Sequence, residues 1–229
     1  MDSLARGFYL TGTDTGIGKT VASVALLHAF ARNGLRATGM KPVASGCTMT
    51  SDGWRNEDAL ALQAASQPAH YYGLHNPFAL PEPTAPQIAA ASAGIAVNLP
   101  AIAAAYAQMA PSTEVMVVEG VGGWLAPLGN DFEQATLASA LNLSVIIVVG
   151  LRLGCLSHAR LTERAIKGDG MPIAGWIGNA LEADFPRTLE YKNLLRAALA
   201  SPCLGWLPFS AQPFDPELGA RLVLPVALV

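Results

Sequence analysis

Residues 11–20, TGTDTGIGKT, combine closely spaced glycines with a lysine and a hydroxyl residue, as phosphate-binding loops do. The usual spacing is G-x-x-x-x-G-K-[ST], but here five residues, not four, separate Gly12 from Gly18. Glycines let the backbone curl so that its N–H groups converge on a phosphate. Lys19 would then reach the β- and γ-phosphates, and the Thr20 hydroxyl would ligate Mg²⁺. The alternative is a plain turn in which Lys19 and Thr20 merely begin a helix.

Three charged residues lie where they could complete a nucleotide site. Glu119 ends the apolar run EVMVVE, Lys41 follows the second strand candidate in GMKPVASG, and Asp58 lies near the start of a helical pattern. Mg²⁺ prefers oxygen ligands, so Glu119 and Asp58 are candidate metal ligands, while Lys41 would face the phosphate loop. Each also has a structural alternative, which is a solvated turn for Glu119, a helix-dipole acid for Asp58 and a solvated edge lysine for Lys41. Ser45 and Gly46 resemble a small anion-binding turn.

Short apolar runs, which must position these residues, alternate with longer helical patterns. The strand candidates cover residues 7–11, 36–42, 114–119, 144–150, 173–179 and 203–208. The helix candidates cover about 18–33, 56–66, 84–93, 99–110, 132–141, 156–168 and 186–199. This alternation predicts a single α/β domain over residues 1–229, with a mostly parallel central sheet and helices on both faces.

The candidate residues follow the ends of these strands, and ligands bind beyond the carboxyl ends of the strands in such sheets. The region of about 43–83 interrupts the alternation and is predicted to be rich in loops. The tail after Gln212 is punctuated by prolines and receives no assignment.

Composition excludes several classes of protein. The chain is 52% hydrophobic and 14% charged, with a formal net charge of −3 and no basic run, which argues against nucleic-acid or anionic membrane partners. The cysteines Cys47, Cys155 and Cys203 have no C-x-x-C spacing, which fits a reducing compartment. The N-terminal residues lack the apolar core of a signal peptide, and no apolar run is long enough to span a membrane. We therefore expect a soluble cytoplasmic protein.

The motifs together resemble one family. GTDTGIGKT, GMKPVASG, RNEDALAL, VEGVGGW, VVGLRLGCLSHA, GWIGN and LGWLP occur in the order found in dethiobiotin synthetases, over about residues 7–210. KPVASG and VEGVGGW are more diagnostic than the loop, whose five-residue glycine spacing is itself typical of the family. The resemblance implies a P-loop NTPase-like fold and an ATP- and Mg²⁺-dependent cyclo-ligase of biotin synthesis. The implied substrates are 7,8-diaminopelargonate and CO₂, joined through a carbamate and a carbamic-phosphoric anhydride to give dethiobiotin, ADP and phosphate.

The resemblance also assigns roles to individual positions. Lys19 and Lys41 look like the cations that flank the reacting groups, and Thr20, Asp58 and Glu119 look like Mg²⁺ ligands. Nucleotide contacts are implied for Gly16, Ile17, Gly18, Lys19, Thr20, Val21, Asp58, Glu119, Gly120, Val121, Gly122, Asn179, Ala180, Pro208, Phe209 and Ser210. Substrate contacts are implied for Thr15, Lys41, Ser45, Val121, Gly122, Gly154, Cys155, Leu156, Ser157 and Tyr191. The family is a homodimer in which the helix start at 154–157 and the tyrosine bind the substrate carboxylate of the neighbouring subunit.

Departures from the family pattern and two competing functions stay open at this point. Gly16 stands where some members have glutamate, and Ala180 stands where others have aspartate. Nucleotide-switch ATPases of chromosome partition or cell division resemble this chain in fold, but their loop carries an additional lysine and they use a basic surface or an amphipathic tail. Residues 12–18 contain no lysine, and the net charge is −3. ATP-dependent amidation of a corrin-like acid would need an appended glutaminase region, for which the chain is too short.

Overall fold

A computed structural model describes residues 6–129 and 132–225 of the chain. Its strands are β1 (Arg6–Gly12), β2 (Ala37–Met40), β3 (Val43–Ala44), β4 (Thr48–Thr50), β5 (Gly53–Arg55), β6 (Phe78–Ala79), β7 (Val115–Gly123), β8 (Ser144–Leu151), β9 (Ile173–Ala180) and β10 (Cys203–Leu207). Its α-helices are α1 (Lys19–Arg32), α2 (Glu57–Ala65), α3 (Tyr72–His75), α4 (Pro86–Ala93), α5 (Leu99–Met109), α6 (Gln134–Ala140), α7 (Cys155–Gly168) and α8 (Thr188–Ala198). Short 3₁₀ helices cover Ala110–Ser112 and Pro216–Arg221.

The central sheet has six strands in the order β10-β9-β8-β1-β7-β2, and every neighbouring pair is parallel. These are the six strands that the apolar runs predict, so the predicted parallel sheet is confirmed. Successive residues of β1 enter different cores, with Phe8 and Leu10 on one face and Tyr9 on the other. Because helices cover both faces, the strands are apolar along their whole length instead of alternating.

The region predicted to be rich in loops contains small elements of its own. Strands β3 and β6 pair in parallel over two residues each, β4 and β5 form an antiparallel hairpin, and α3 is a single turn. Such elements are too short to produce a periodic pattern, which is why the sequence does not predict them. Together they connect the end of β2 to α2 and α5.

The tail that the sequence leaves unassigned packs on the first helix. Its 3₁₀ helix lies so close to α1 that a Cβ atom on Gly219 would come within 2.7 Å of the backbone nitrogen of Ala29. Leu218 and Leu222 are buried in the same core as α1, and Leu222 forms an antiparallel bridge to Gly205 of β10. Among the residues described, none of the helices combines the length and the apolar character that crossing a membrane requires.

A buried carboxylate joins α7 to the start of β10. The Glu163 side chain, 8% exposed, accepts hydrogen bonds from the backbone nitrogen of Ser201 at 2.9 Å and from its hydroxyl at 2.8 Å. The backbone nitrogen of Ala200 donates at 3.2 Å. Burial by itself would raise the pKa of this carboxyl, but the hydrogen bonds from Ser201 hold it below its usual value. The ionised form of Glu163 therefore stabilises the fold.

We expect Glu163→Gln to lower the free energy of unfolding at pH 7 by about 1.5–3 kcal/mol, the usual contribution of hydrogen bonds to a charged acceptor. Because the folded-state pKa is depressed, this stabilisation is present above the unfolded value of about 4.3 and is lost as the pH falls through the lower folded value. Urea unfolding of the wild type and of Glu163→Gln should therefore give free energies of unfolding that differ at pH 7, and this difference should shrink below pH 4. Glu182→Gln, at an exposed position, is the control. An equal loss of stability in Glu182→Gln, or a stability difference for Glu163→Gln that does not depend on pH, would contradict the stabilising role of ionised Glu163.

Candidate active site

The loop between β1 and α1 has the shape that binding a phosphate requires. Gly16 and Gly18 have φ values of 70° and 79°, a region that glycine adopts without strain, and Gly18 is the residue that caps the N-terminus of α1. The ammonium group of Lys19 donates to the backbone oxygen of Asp14 at 2.9 Å, so it folds back over the loop. The N-terminus of α1 therefore faces a cavity, as in helices that bind anions.

That cavity has a volume of about 450 Å³ and is lined by residues from several strand ends. The sequence predicts most of them as site residues, and they are Thr15, Gly16, Gly18, Lys19, Thr20, Val21, Lys41, Ser45, Asp58, Glu119, Val121 and Gly122. Asn56, Pro213 and Phe214 line it as well. Loop, lysine and carboxylates therefore form one site.

A lysine and two carboxylates form the centre of this site. The ammonium nitrogen of Lys41 lies 2.6 Å from Oε1 of Glu119 and 2.8 Å from Oδ2 of Asp58. The hydroxyl of Thr20 donates to the same Oε1 of Glu119 at 2.9 Å. The side chain of Glu119 is 0% exposed and that of Lys41 is 7% exposed. The alternatives of a solvated turn and a solvated edge lysine are therefore wrong, because both groups are buried and paired.

The register of the sheet brings this pair together. Met40 of β2 lies opposite Val118 of β7, so the residues that follow them lie side by side: Lys41 directly after the end of β2, and Glu119 within β7, which continues to Gly123. The backbone at Lys41 is fixed as well, because its nitrogen donates to the oxygen of His75 and its oxygen accepts from Asn76 Nδ2, each at 2.7 Å. A lysine held in this way cannot move to the surface without breaking two backbone contacts.

The third member of the cluster arrives on α2. Asn56 caps this helix by accepting from the backbone nitrogen of Ala59 at 3.2 Å, and its amide group lies 3.4 Å from the oxygen of Ser45. Asp58 is in the first turn, where acids also favour the helix dipole. Its side chain is 42% exposed, facing both Lys41 and the cavity. Asp58 therefore makes both interactions, one with the dipole of α2 and one with Lys41 in the site.

The two lysines are in different electrostatic states. Burial would lower the pKa of Lys41, but the carboxylates of Glu119 and Asp58 raise it to about 12. Burial lowers the pKa of Lys19 to about 8, since Lys41 repels it and the carboxylates compensate only in part. Burial opposes ionisation of Asp58, yet the Lys41 ammonium group holds the pKa of that carboxyl below its usual value. The two carboxylates thus favour the charged form of Lys41, and Lys19 would gain most from an anionic ligand.

Some predicted site residues do not line the cavity, and one of them contacts the phosphate loop. Asn179, at the end of β9, donates from Nδ2 to the oxygen of Ile17 at 3.0 Å, and a Cβ atom on Gly18 would collide with that amide at 2.1 Å. Ile17 is buried in the core and Gly120 is buried within β7, and neither residue lines the cavity. Ala180 follows Asn179 as the last residue of β9. Asn179 therefore supports the loop directly, and the lining of the main cavity includes none of Ile17, Gly120, Asn179 and Ala180.

Other predicted residues lie apart from the main cavity. Pro208, Phe209 and Ser210 line a neighbouring cavity of about 360 Å³ together with Asp215 and residues of the tail. Among the residues described, the lining of the main cavity does not include Gly154, Cys155, Leu156, Ser157 or Tyr191. Gly154 has a φ of 93° and caps α7, which begins at Cys155, while Tyr191 packs edge-on against Phe185. An ion pair between Arg152 and Asp14 is the link from this segment to the phosphate loop.

Sequence reasoning missed two buried polar residues next to the site. Ser23, three residues after Thr20 on α1, contacts Glu119, and this helical spacing was a signal that could have found it. Gln134 accepts from the hydroxyl of Tyr9 at 2.9 Å and donates to the backbone oxygens of Val121 and Ala126 at 2.9 and 3.1 Å. No motif marks Gln134, which shapes the glycine-rich turn after β7.

Comparison with known proteins agrees with this architecture. The MinC:MinD cell division protein complex and the MinD cell division protein of Aquifex aeolicus superpose with TM-scores of 0.57 and 0.55 at 12% and 11% identity. Each superposition covers 98% of this chain, and it covers 88% and 89% of those chains. At such identities the likeness concerns the fold alone, and it confirms the P-loop NTPase-like α/β class.

Sequence relatives are much closer. A family model described as an AAA domain matches residues 6–215. A protein of Xanthomonas euvesicatoria named ATP-dependent dethiobiotin synthetase is 57% identical over 88% of this chain and 90% of its own length. Proteins of the same name from Xylella fastidiosa and Xanthomonas campestris are 54% and 52% identical over 94% and 95% of this chain, and over 96% and 97% of their own lengths. The chain therefore belongs to the ATP-dependent dethiobiotin synthetase family.

Proposed function

We propose that this chain is an ATP-dependent dethiobiotin synthetase of biotin synthesis, a cyclo-ligase that closes a cyclic urea on 7,8-diaminopelargonate with CO₂. The observation that carries the proposal is the cluster in which the buried Lys41 contacts the buried Glu119 and the partly exposed Asp58, in the cavity beside the phosphate loop. It occurs in a chain that is 52–57% identical to proteins of that name. The cavity brings phosphate-binding, carboxylate and cationic groups together, as ATP-driven activation of an acid requires.

The proposed reaction has two bond-forming steps after carbamate formation. One amine of the diamine adds to CO₂, loses a proton and becomes a carbamate, which has no good leaving group. A carbamate oxygen then attacks the γ-phosphorus of ATP, so that ADP leaves and a carbamic-phosphoric anhydride forms. The second amine attacks the carbonyl carbon and loses a proton, phosphate departs, and the urea ring closes. Such a sequence depends on alignment and charge stabilisation more than on a strong acid or base.

The residues of the cavity fit these demands. The Lys19 ammonium group and the backbone N–H groups of the loop would hold the β- and γ-phosphates. Lys41, whose pKa is raised to about 12, carries a fixed positive charge toward the place where the carbamate and the phosphate meet. Thr15, Ser45, Val121 and Gly122 line the same cavity and would orient the diamine and its carbamate. Val121 and Gly122, in the last part of β7, would offer backbone groups for this, because Gly122 has no side chain to cover them.

The site also fits Mg²⁺. Within the described chain, no group of three or more histidine, cysteine, aspartate or glutamate side chains is placed to hold a metal ion. Mg²⁺ at a nucleotide site is usually bound by one or two carboxylates together with substrate phosphates and water, so such a cluster is not needed. Thr20, Asp58 and Glu119 supply three hard oxygen donors that line the same cavity, where Thr20 contacts Glu119 and both carboxylates contact Lys41. When bound there, Mg²⁺ would neutralise the charge of the phosphates.

We propose that the substrate site is completed by a second subunit. Gly154, Cys155, Leu156 and Ser157 form the start of α7, where Gly154 and Ser157 are exposed. The N–H of Cys155 already donates to the oxygen of Arg152, so the N–H groups of Leu156 and Ser157 and the helix dipole would attract a carboxylate. They and Tyr191 do not line the cavity of their own chain. In a homodimer each set would bind the tail carboxylate of the diamine held by its neighbour.

The likeness to MinD proteins raises a cell-division switch as the other candidate. Two features weigh against it: residues 12–18 contain no lysine, and the net charge is −3, whereas such switches carry an additional lysine in the loop and need basic residues to reach an anionic membrane.

The direct test is incubation of the purified protein with 7,8-diaminopelargonate, MgATP and ¹⁴C-labelled bicarbonate. We expect label in dethiobiotin, with ADP released in equal amount. A folded protein that binds MgATP but places no label in that product would refute the proposed function. Hydrolysis of ATP without the diamine, stimulated by phospholipid vesicles, would instead favour the switch.

Removal of the Lys41 charge tests its role in the reaction. Lys41→Met keeps most of the side-chain volume and should lower kcat by about 100- to 1000-fold, as loss of one transition-state donor does. ATP binding, measured by calorimetry, should persist because Lys19 and the loop remain. The surface variant Lys167→Met is the control, and melting temperatures exclude unfolding as the cause. Turnover within a factor of about three of wild type would remove Lys41 from the mechanism.

A heterodimer tests the shared site. Ser157→Asp places a negative charge where the substrate carboxylate would bind, and an acid near the start of α7 suits the helix dipole. We expect Ser157→Asp and Lys41→Met to be inactive as homodimers. When they are co-expressed with two tags and purified as a heterodimer, about half of the wild-type activity should return, because one of two interface sites is intact. No recovery in a proven heterodimer would mean that each chain binds its substrate alone.

A further inference from the structure

The two oxygens of the Glu119 carboxylate have different partners. Oε1 faces the cavity, where it contacts the ammonium group of Lys41 at 2.6 Å and the hydroxyl of Thr20 at 2.9 Å. Oε2 points away from the cavity and lies 2.7 Å from the hydroxyl oxygen of Ser23. Both Glu119 and Ser23 are 0% exposed, so water does not replace any of these contacts. The orientation of the carboxylate is therefore set by protein groups on both sides.

Ser23 has two possible acceptors for its single proton. Its hydroxyl lies 2.7 Å from Glu119 Oε2 and 2.9 Å from the backbone oxygen of Lys19, one turn earlier on α1. A serine within a helix often donates to that preceding backbone oxygen, which would make it purely structural. Here the carboxylate is the closer and the charged acceptor, and bonds to charged acceptors are about twice as strong as neutral ones. Among the described residues, Ser23 is also the one donor that contacts Oε2.

We propose that Ser23 is a positioning residue that holds Glu119 with Oε1 toward the Mg²⁺–nucleotide complex. This inference rests on the proposed function for the identity of the bound metal. Without the Ser23 hydroxyl, Oε2 would be buried with no donor, and the carboxylate would gain by rotating about its terminal bond toward Thr20 or Lys41. Oε1 would then leave the direction that the ligand requires. Groups that orient metal ligands in this way usually change metal affinity by about 10- to 100-fold.

The test measures metal-dependent nucleotide binding and needs no diamine. Binding of a non-hydrolysable ATP analogue is followed by calorimetry at increasing MgCl₂ concentrations. For Ser23→Ala we expect the Mg²⁺ concentration of half-maximal effect to rise by about tenfold or more, while binding of the analogue in EDTA stays near the wild-type value. Ser66→Ala is the matched control, because Ser66 is also buried but contacts only backbone groups. A wild-type Mg²⁺ response in Ser23→Ala would overturn the proposal, as would an equal change in Ser66→Ala.

Two further variants separate orientation from packing. Ser23→Thr keeps a hydroxyl and should restore most of the Mg²⁺ response, whereas a general packing defect would be made worse by the added methyl group. In a Glu119→Gln background, Ser23→Ala should cause little additional change, because the partner carboxylate is already gone. An undiminished effect in that background would show that Ser23 acts through Lys19 instead, and would refute the proposal. Ring closure by the wild-type protein is assayed separately. Refutation of the positioning role of Ser23 can therefore be distinguished from refutation of the proposed function.

Discussion

The buried pair of Lys41 and Glu119 is the interaction on which the rest of the site depends. An uncompensated charge in a protein interior is costly, so neither residue could be buried without the other. The pair forms because β2 and β7 are parallel neighbours in fixed register and both end at the same edge of the sheet. Thr20 and Asp58 then join it from two helices. A single ion pair thereby ties the phosphate loop, the sheet and α2 to one point.

This constraint explains the irregular region that follows β2. The chain leaves the sheet at Lys41, and His75 and Asn76 return to bind its backbone nitrogen and oxygen. The short elements between them, including the hairpin of β4 and β5, cover the distance while presenting Asn56 and α2 to the cavity. The cluster therefore keeps its geometry although few of its neighbours belong to the central sheet. Rigidity comes from paired backbone groups, as buried polar segments require.

Much of the architecture could be predicted because it follows from periodicity. Apolar strands covered on both faces and helices of eight or more residues leave patterns that one sequence reveals. The two-residue strands β3 and β6 do not, since their pairing depends on distant contacts. Motif spacing predicted Lys19 and Thr20 as site residues, and positions after predicted strands predicted Lys41 and Glu119; the structure buries all four beside one cavity. Ser23 and Gln134 escaped because no motif marks either residue; the helical spacing of Ser23 from Thr20 places it near the site, but only the fold shows that it contacts Glu119.

The 3₁₀ helix at Pro216–Arg221 has a consequence for how the protein is made. It packs on α1, which follows the phosphate loop, and Phe214 just before it lines the cavity. The ribosome synthesises α1 well before this segment, so the part of α1 that the segment covers stays uncovered until the segment emerges. A chain that terminates before Pro216 would thus carry the complete phosphate loop on a helix with one apolar contact surface left open.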